Sequence, residues 1–147
     1  MQIPFLQRLQ ALTGPAVNKV VPTAASPEAE AAEQALQRML ADLPELLGAA
    51  VVDVDSGQAL ATYTTARELN LGKVLGFNAE VVRQQRQAMQ ALLLPAEEQL
   101  EEILITLNTQ LHLLRLLPNS QRFLYVVVDS RDTNLGIART VMRSFEL

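Results

Sequence analysis

The chain has 147 residues, enough for one domain, and 49% of them are hydrophobic, so a full core can be buried. The formal net charge of −4 and the lack of a Lys/Arg cluster among aromatics argue against a nucleic-acid partner. There are no cysteines, which removes disulfide frameworks, thiolate metal sites and cysteine nucleophiles, and fits a reducing, cytoplasmic setting.

Residues 1–13 carry Phe5, Leu6, Leu9 and Leu12 at helical spacing and read as an amphipathic arm rather than a signal peptide. With one arginine and several glutamines, the arm is a poor lipid anchor. Gly14 to Pro27 contains three prolines and reads as a linker, giving an arm-and-linker region over 1–26 and a domain over 27–147. No run is long and apolar enough to cross a bilayer, so no integral membrane association is expected.

Ser26 as N-cap and Pro27 as first helical residue open a helix whose apolar stripe is Ala29, Ala32, Leu36, Met39, Leu40 and Leu43, and Pro44 ends it. Leu47–Asp55 and Ala59–Thr65 read as two strands of a hairpin, with Gly57 free to adopt positive φ in the turn between them. The stretch from Ala66 to Gly76 reads as a loop. Phe77–Leu94 reads as a helix with Phe77, Val81, Ala88, Met89 and Leu92 on one side and Arg83, Gln84, Arg86, Gln87 and Gln90 on the other.

Leu100–Leu117 reads as two strands, 101–107 and 110–117, joined at Asn108–Thr109, with a single Leu-rich helix as the rival. In the strand reading, Ile103, Ile105, Leu107, Leu111 and Leu113 share one face. Arg122–Asp129 is apolar on both faces and belongs at the centre of a sheet. A helix over about 133–145 closes the chain, capped by Asp132 or Thr133. The expected fold is α/β (α+β), in the order α-β-β-α-β-β-β-α, with a five-stranded antiparallel sheet and helices on both of its faces.

Asp129 ends the central strand, where enzymes often keep a nucleophile or metal ligand. No second acid, histidine or glycine-rich cradle accompanies it in sequence, and its expected task is to bond turn amides. Asp53 and Asp55 follow an apolar strand and so resemble the first motif of haloacid dehalogenase-type phosphotransferases. Gly57 stands where that family has threonine, and its lysine and paired-acid motifs have no counterpart here. A hairpin turn explains these residues better, and phosphotransfer stays a remote alternative. His112 is the only histidine, and with no cysteine beside it a sheet-surface or subunit-contact role is expected. No catalytic residue, metal or cofactor is expected.

The segments "LGAAVVDVDSGQALA" and "EEILITLNTQLHLLRLLPNSQRFLYVVVDSRDTNLGIAR", in that order with a helix between them, resemble the Roadblock/dynein light chain family, and in particular its bacterial regulators of small GTPases. The resemblance covers roughly 27–147. It implies a non-enzymatic homodimer, built by pairing the strand that holds Ile103, Leu104 and Ile105 and by packing the middle helices through Val81, Ala88 and Leu92. It also implies a Ras-like GTPase as partner, for which Arg83, Gln84, Arg86, Gln87 and Gln90 form the candidate face. A dimeric scaffold for a motor or signalling complex is the alternative.

Overall fold

The computed structural model describes residues 17–66, 69–119 and 121–147. The expected arm over 1–13 lies outside the described residues. Within them, the elements run β1 (Val21–Pro22), α1 (Pro27–Asp42), β2 (Gly48–Asp53), β3 (Ala59–Thr64), α2 (Leu71–Ala91), β4 (Glu102–Thr106), β5 (Gln110–Leu116), β6 (Arg122–Asp129) and α3 (Leu135–Arg143). The sheet is antiparallel throughout, in the order β1-β3-β2-β6-β5-β4. It therefore has six strands rather than five, and a strand precedes the first helix.

The added strand comes from the expected linker. Val21 and Pro22 pair with Thr62 and Ala61, Asn18 donates its N–H to Thr64, and Thr23 donates its own to Leu60. Proline is tolerated there because β1 is an edge strand. Val20, just before it, is buried in the core. Removing residues 1–25 should therefore cost about 2 kcal/mol in urea unfolding through loss of Val20 burial and the β1 ladder.

Two helices cover one face of the sheet and one covers the other. α1 opens as its sequence directs: Ser26 Oγ accepts the Ala29 N–H at 3.1 Å, and Pro27 takes the first turn, where its missing N–H costs nothing. Its Ala32, Ala35, Leu36 and Met39 join Ala138 and Met142 of α3 over Ala49, Val51, Leu124, Val126 and Val128. α2 supplies Leu71, Leu75, Ala79 and Val82 to the opposite face, over Ala50, Val52, Phe123, Tyr125 and Val127. β2 and β6 are buried on both sides, which is why their sequences read as nearly unbroken apolar runs.

Three local expectations are corrected. α2 starts at Leu71, six residues before Phe77; Gly72 and Gly76 weaken the helical signal of its first turns. α3 starts at Leu135, and its cap is Asn134, whose Oδ1 accepts from Gly136 N (2.8 Å) and Ile137 N (3.2 Å); neither Asp132 nor Thr133 caps it. The faces of β4 and β5 are also reassigned. Leu107 N donates to Gln110 O across Asn108 and Thr109, so odd positions of β4 stand beside even positions of β5. Ile103 and Ile105 thus share a face with Leu114 and His112, while Leu104 joins Leu111 and Leu113 on the other.

Candidate interaction surface

β4 is the edge strand at the other end of the sheet from β1. Its hydrogen-bonded register with β5 is fixed at both ends, by Leu107 N to Gln110 O and by Leu116 N to Glu101 O, each 2.9 Å. Antiparallel bonding alternates along a strand, so odd residues of β4 direct their backbone groups at β5. The N–H and C=O of Glu102, Leu104 and Thr106 point away from the sheet. Glu102 is itself held from the α3 side, its carboxylate accepting both of its bonds from Arg139 Nε at 3.0 and 3.2 Å. That pair fixes a strand which sheet contacts support on one side only.

α2 carries two apolar stripes. At 3.6 residues per turn, Phe77, Val81, Ala88 and Leu92 fall within about 60° of one another, and the sheet-facing Leu71, Leu75, Ala79 and Val82 lie about a third of a turn away. The expected stripe is thus the uncovered one: Phe77 is 74% exposed, Val81 40% and Leu92 68%. Leu93 and Leu94 extend it past the helix end, with Leu93 at φ +54°. Asn78, between the two stripes on the helix surface, is buried and lies on the Tyr125 side, toward β6 and β5. α2 itself packs over β2 and β3, so the uncovered stripe lies on its flank toward β6, β5 and β4, and Ile103 and Ile105 on that side of the sheet are only half-buried.

The opposite flank of α2 is braced. Arg83 is half-buried, and its guanidinium donates to the carbonyls of Val54 and Asp55 in the β2–β3 turn and to Glu80 Oε2, at 2.6 and 3.1 Å. Gln84 Nε2 donates to Glu80 Oε1 at 2.8 Å. The turn reaches α2 closely, since a Cβ on Gly57 would sit 3.1 Å from Gly76 Cα. Gln87 and Gln90 are exposed beyond this brace and Arg86 is half-buried. Arg83 and Gln84, both expected to form a partner face, are thus among the residues engaged within the domain.

His112 is half-buried on the α2 side of β5. Its Nδ1 lies 2.6 Å from the Tyr125 hydroxyl and its Nε2 2.9 Å from Gln110 Oε1. Gln110 Oε1 can only accept, so Nε2 carries the proton and Nδ1 accepts from Tyr125. Burial lowers the His112 pKa and raises that of Tyr125. The Asn78 amide approaches Tyr125, yet its buried nitrogen closes no hydrogen bond. Nothing in the sequence marks this row, because its members come from α2, β5 and β6.

The acids at the two strand ends serve turns. Asp53 Oδ1 accepts from Asp55 N at 3.0 Å, and Gly57, at φ +71°, closes the hairpin through a bond from its N–H to Asp53 O. Asp129 accepts from the Arg131 N–H at 2.9 Å and from its guanidinium at 3.0 and 2.7 Å, while its carbonyl receives the amides of Asp132 and Thr133. The Arg131 side-chain bonds hold the Asp129 carboxyl down at about 2. Because this pKa is depressed, any stability the pair supplies is present above the ordinary aspartate range and is lost as pH falls toward 2. Arg131→Ala should raise the midpoint toward about 3.9 in an NMR titration of the carboxyl. Among the described residues, no three His, Asp or Glu side chains gather as metal ligands.

Neither a protein-family model nor a curated protein matches the sequence. Solved structures do match. MglB from Myxococcus xanthus superposes with a TM-score of 0.69 at 16% identity, covering 82% of this chain and 86% of its own. The gliding protein MglB from Thermus thermophilus gives 0.68 at 15%, covering 83% and 87%. A Roadblock/LC7 domain from Streptomyces avermitilis gives 0.60 at 13%, covering 82% and 92%. The chain has a Roadblock/LC7-like fold.

Proposed function

We propose that this protein is a cytoplasmic, non-enzymatic homodimer that regulates or scaffolds a Ras-like small GTPase. The observation that carries the reading is a β4 edge unpaired among the described residues, on a fold like that of MglB whose α2 also bears an exposed apolar stripe. A strand edge with Ile103, Leu104 and Ile105 is an aggregation hazard unless it is paired, and a second copy pairs it in closed fashion. Only one register engages all the outward groups of β4. With Leu104 opposite Leu104 of the second copy, Glu102 and Thr106 each face the other's counterpart. Ile103 then stands beside Ile105 across the seam, a β-branched pair of the kind that stabilises sheets. In this reading Val81, Ala88 and Leu92 of the two copies pack against each other beside this seam.

The GTPase is the partner class implied by the Roadblock resemblance. Its face in this reading is Arg86, Gln87 and Gln90, with Gln84 and Arg83 orienting α2 through Glu80 and the hairpin. No described helix is long and apolar enough to cross a membrane. The test is a pull-down from the native organism followed by titration of the co-purifying GTPase loaded with di- or triphosphate. Gln87→Ala with Gln90→Ala should weaken triphosphate-state binding about tenfold while leaving the dimer intact. Undiminished binding would remove this face, and a motor or sensor component in place of a GTPase would overturn the partner assignment.

A further inference from the structure

We propose that His112 makes self-association of this chain pH-dependent, its neutral imidazole being the form that the assembled dimer accepts. The inference rests on the dimer proposed above and adds a regulator to it. His112 sits beside Ile105 on β4 and Val127 on β6, its two cross-strand neighbours, on the same face of the sheet as α2. In one subunit the ring is half-buried, and a second copy's stripe laid beside the seam would bury it further.

The ring's bonds are fully met in the neutral state. Nε2–H donates to Gln110 Oε1 while Nδ1 receives the Tyr125 hydroxyl hydrogen. A second proton places an N–H on Nδ1, pointing at that hydroxyl. Tyr125 must then turn its own hydrogen away, and its other polar neighbour, the Asn78 nitrogen, is a donor already without a partner. Among the described residues, no carboxylate bonds the ring to offset the charge. Glu102 lies on the other face of β4, closed on Arg139. Asp129, paired across from Gln110 at the end of β6, is closed on Arg131. From α2, Glu80 and Arg83 are closed on each other at the hairpin turn; Lys73 and Arg86 are cations, and the second copy brings the same four. A buried imidazolium here is costly, while a separated subunit leaves its ring closer to water.

The test is the dimer dissociation constant of the full chain by sedimentation between about pH 8 and pH 5.5, the range in which a histidine changes charge, in about 0.3 M salt to screen surface charge. The constant should rise about fivefold or more toward the acid end, since two rings must shed protons per dimer. His112→Gln, which cannot titrate, should flatten the profile. Tyr125→Phe, which frees Nδ1 to take a proton, should move the midpoint to higher pH. A dimer whose constant stays level over this range would overturn the inference and spare the dimer. So would an unchanged profile in His112→Gln or an unmoved midpoint in Tyr125→Phe. A chain monomeric throughout would overturn both.

Discussion

Leu104→Pro should yield a folded monomer, whereas Ile105→Pro should prevent folding. The two positions are adjacent in β4 but spend their backbone groups differently. The Ile105 N–H belongs to the ladder with β5, where Ile105 stands opposite His112. Proline there deletes a buried-side bond and sets its ring against the neighbouring strand, a loss of about 3 kcal/mol or more. The Leu104 N–H points outward, as proline's missing donor can on an edge strand. In the proposed register it bonds Leu104 of the second copy, so one substitution removes two hydrogen bonds at the symmetry axis together with the packing of two leucines. A rise of about a hundredfold in the dissociation constant is expected from about 1 kcal/mol per bond plus lost packing. Sedimentation and circular dichroism on both variants check it. A dimeric Leu104→Pro would place the seam elsewhere.

Gly57→Val should destabilise the domain by about 3 kcal/mol. Gly57 adopts φ +71°, a region costly for any side chain and most costly for a β-branched one. A Cβ there also falls 3.1 Å from the backbone of Gly76, tighter than ordinary contact. The turn cannot retreat cheaply, because Arg83 ties it to α2 through Val54 and Asp55. Gly76→Ala is the informative contrast. Its Cβ would meet nothing within 4 Å, and a helix interior favours alanine over glycine by about 0.5–1 kcal/mol. Chemical denaturation should therefore show opposite signs on the two sides of one contact.

Much of the architecture was legible where a residue's chemistry acts locally. Ser26 and Pro27 announce the start of α1 through their own bonding needs, Gly57 announces the turn, and the unbroken apolar run of β6 announces burial on both faces. β1 was not legible: its two residues carry no alternation, and its place is set by the β3 edge it covers. The uncovered stripe of α2 was visible as Phe77, Val81, Ala88 and Leu92, but periodicity reports that a stripe exists and is silent on which surface receives it. Leu71 and Leu75, which resolve the matter by reaching the sheet, lie beyond two glycines that hide the helix. The brace formed by Arg83 joins positions far apart in the chain, and an arginine among glutamines gives no sign that its guanidinium is engaged at a hairpin.

The strand order has a consequence for how the chain holds together when cut. Residues up to the end of α2 and residues from β4 onward form two consecutive blocks, joined in sequence by the exposed stretch from Leu92 to Gln99. In space they are joined by the six paired positions of β2 and β6, from Gly48 beside Val127 to Asp53 beside Arg122, at the most deeply buried place in the sheet. Each block alone would present one of these strands bare, so neither is a complete folding unit. A protease that nicks the connecting stretch severs the covalent link and leaves that central ladder whole. The domain is in this sense a two-piece protein in one chain, divisible at its surface and held at its middle.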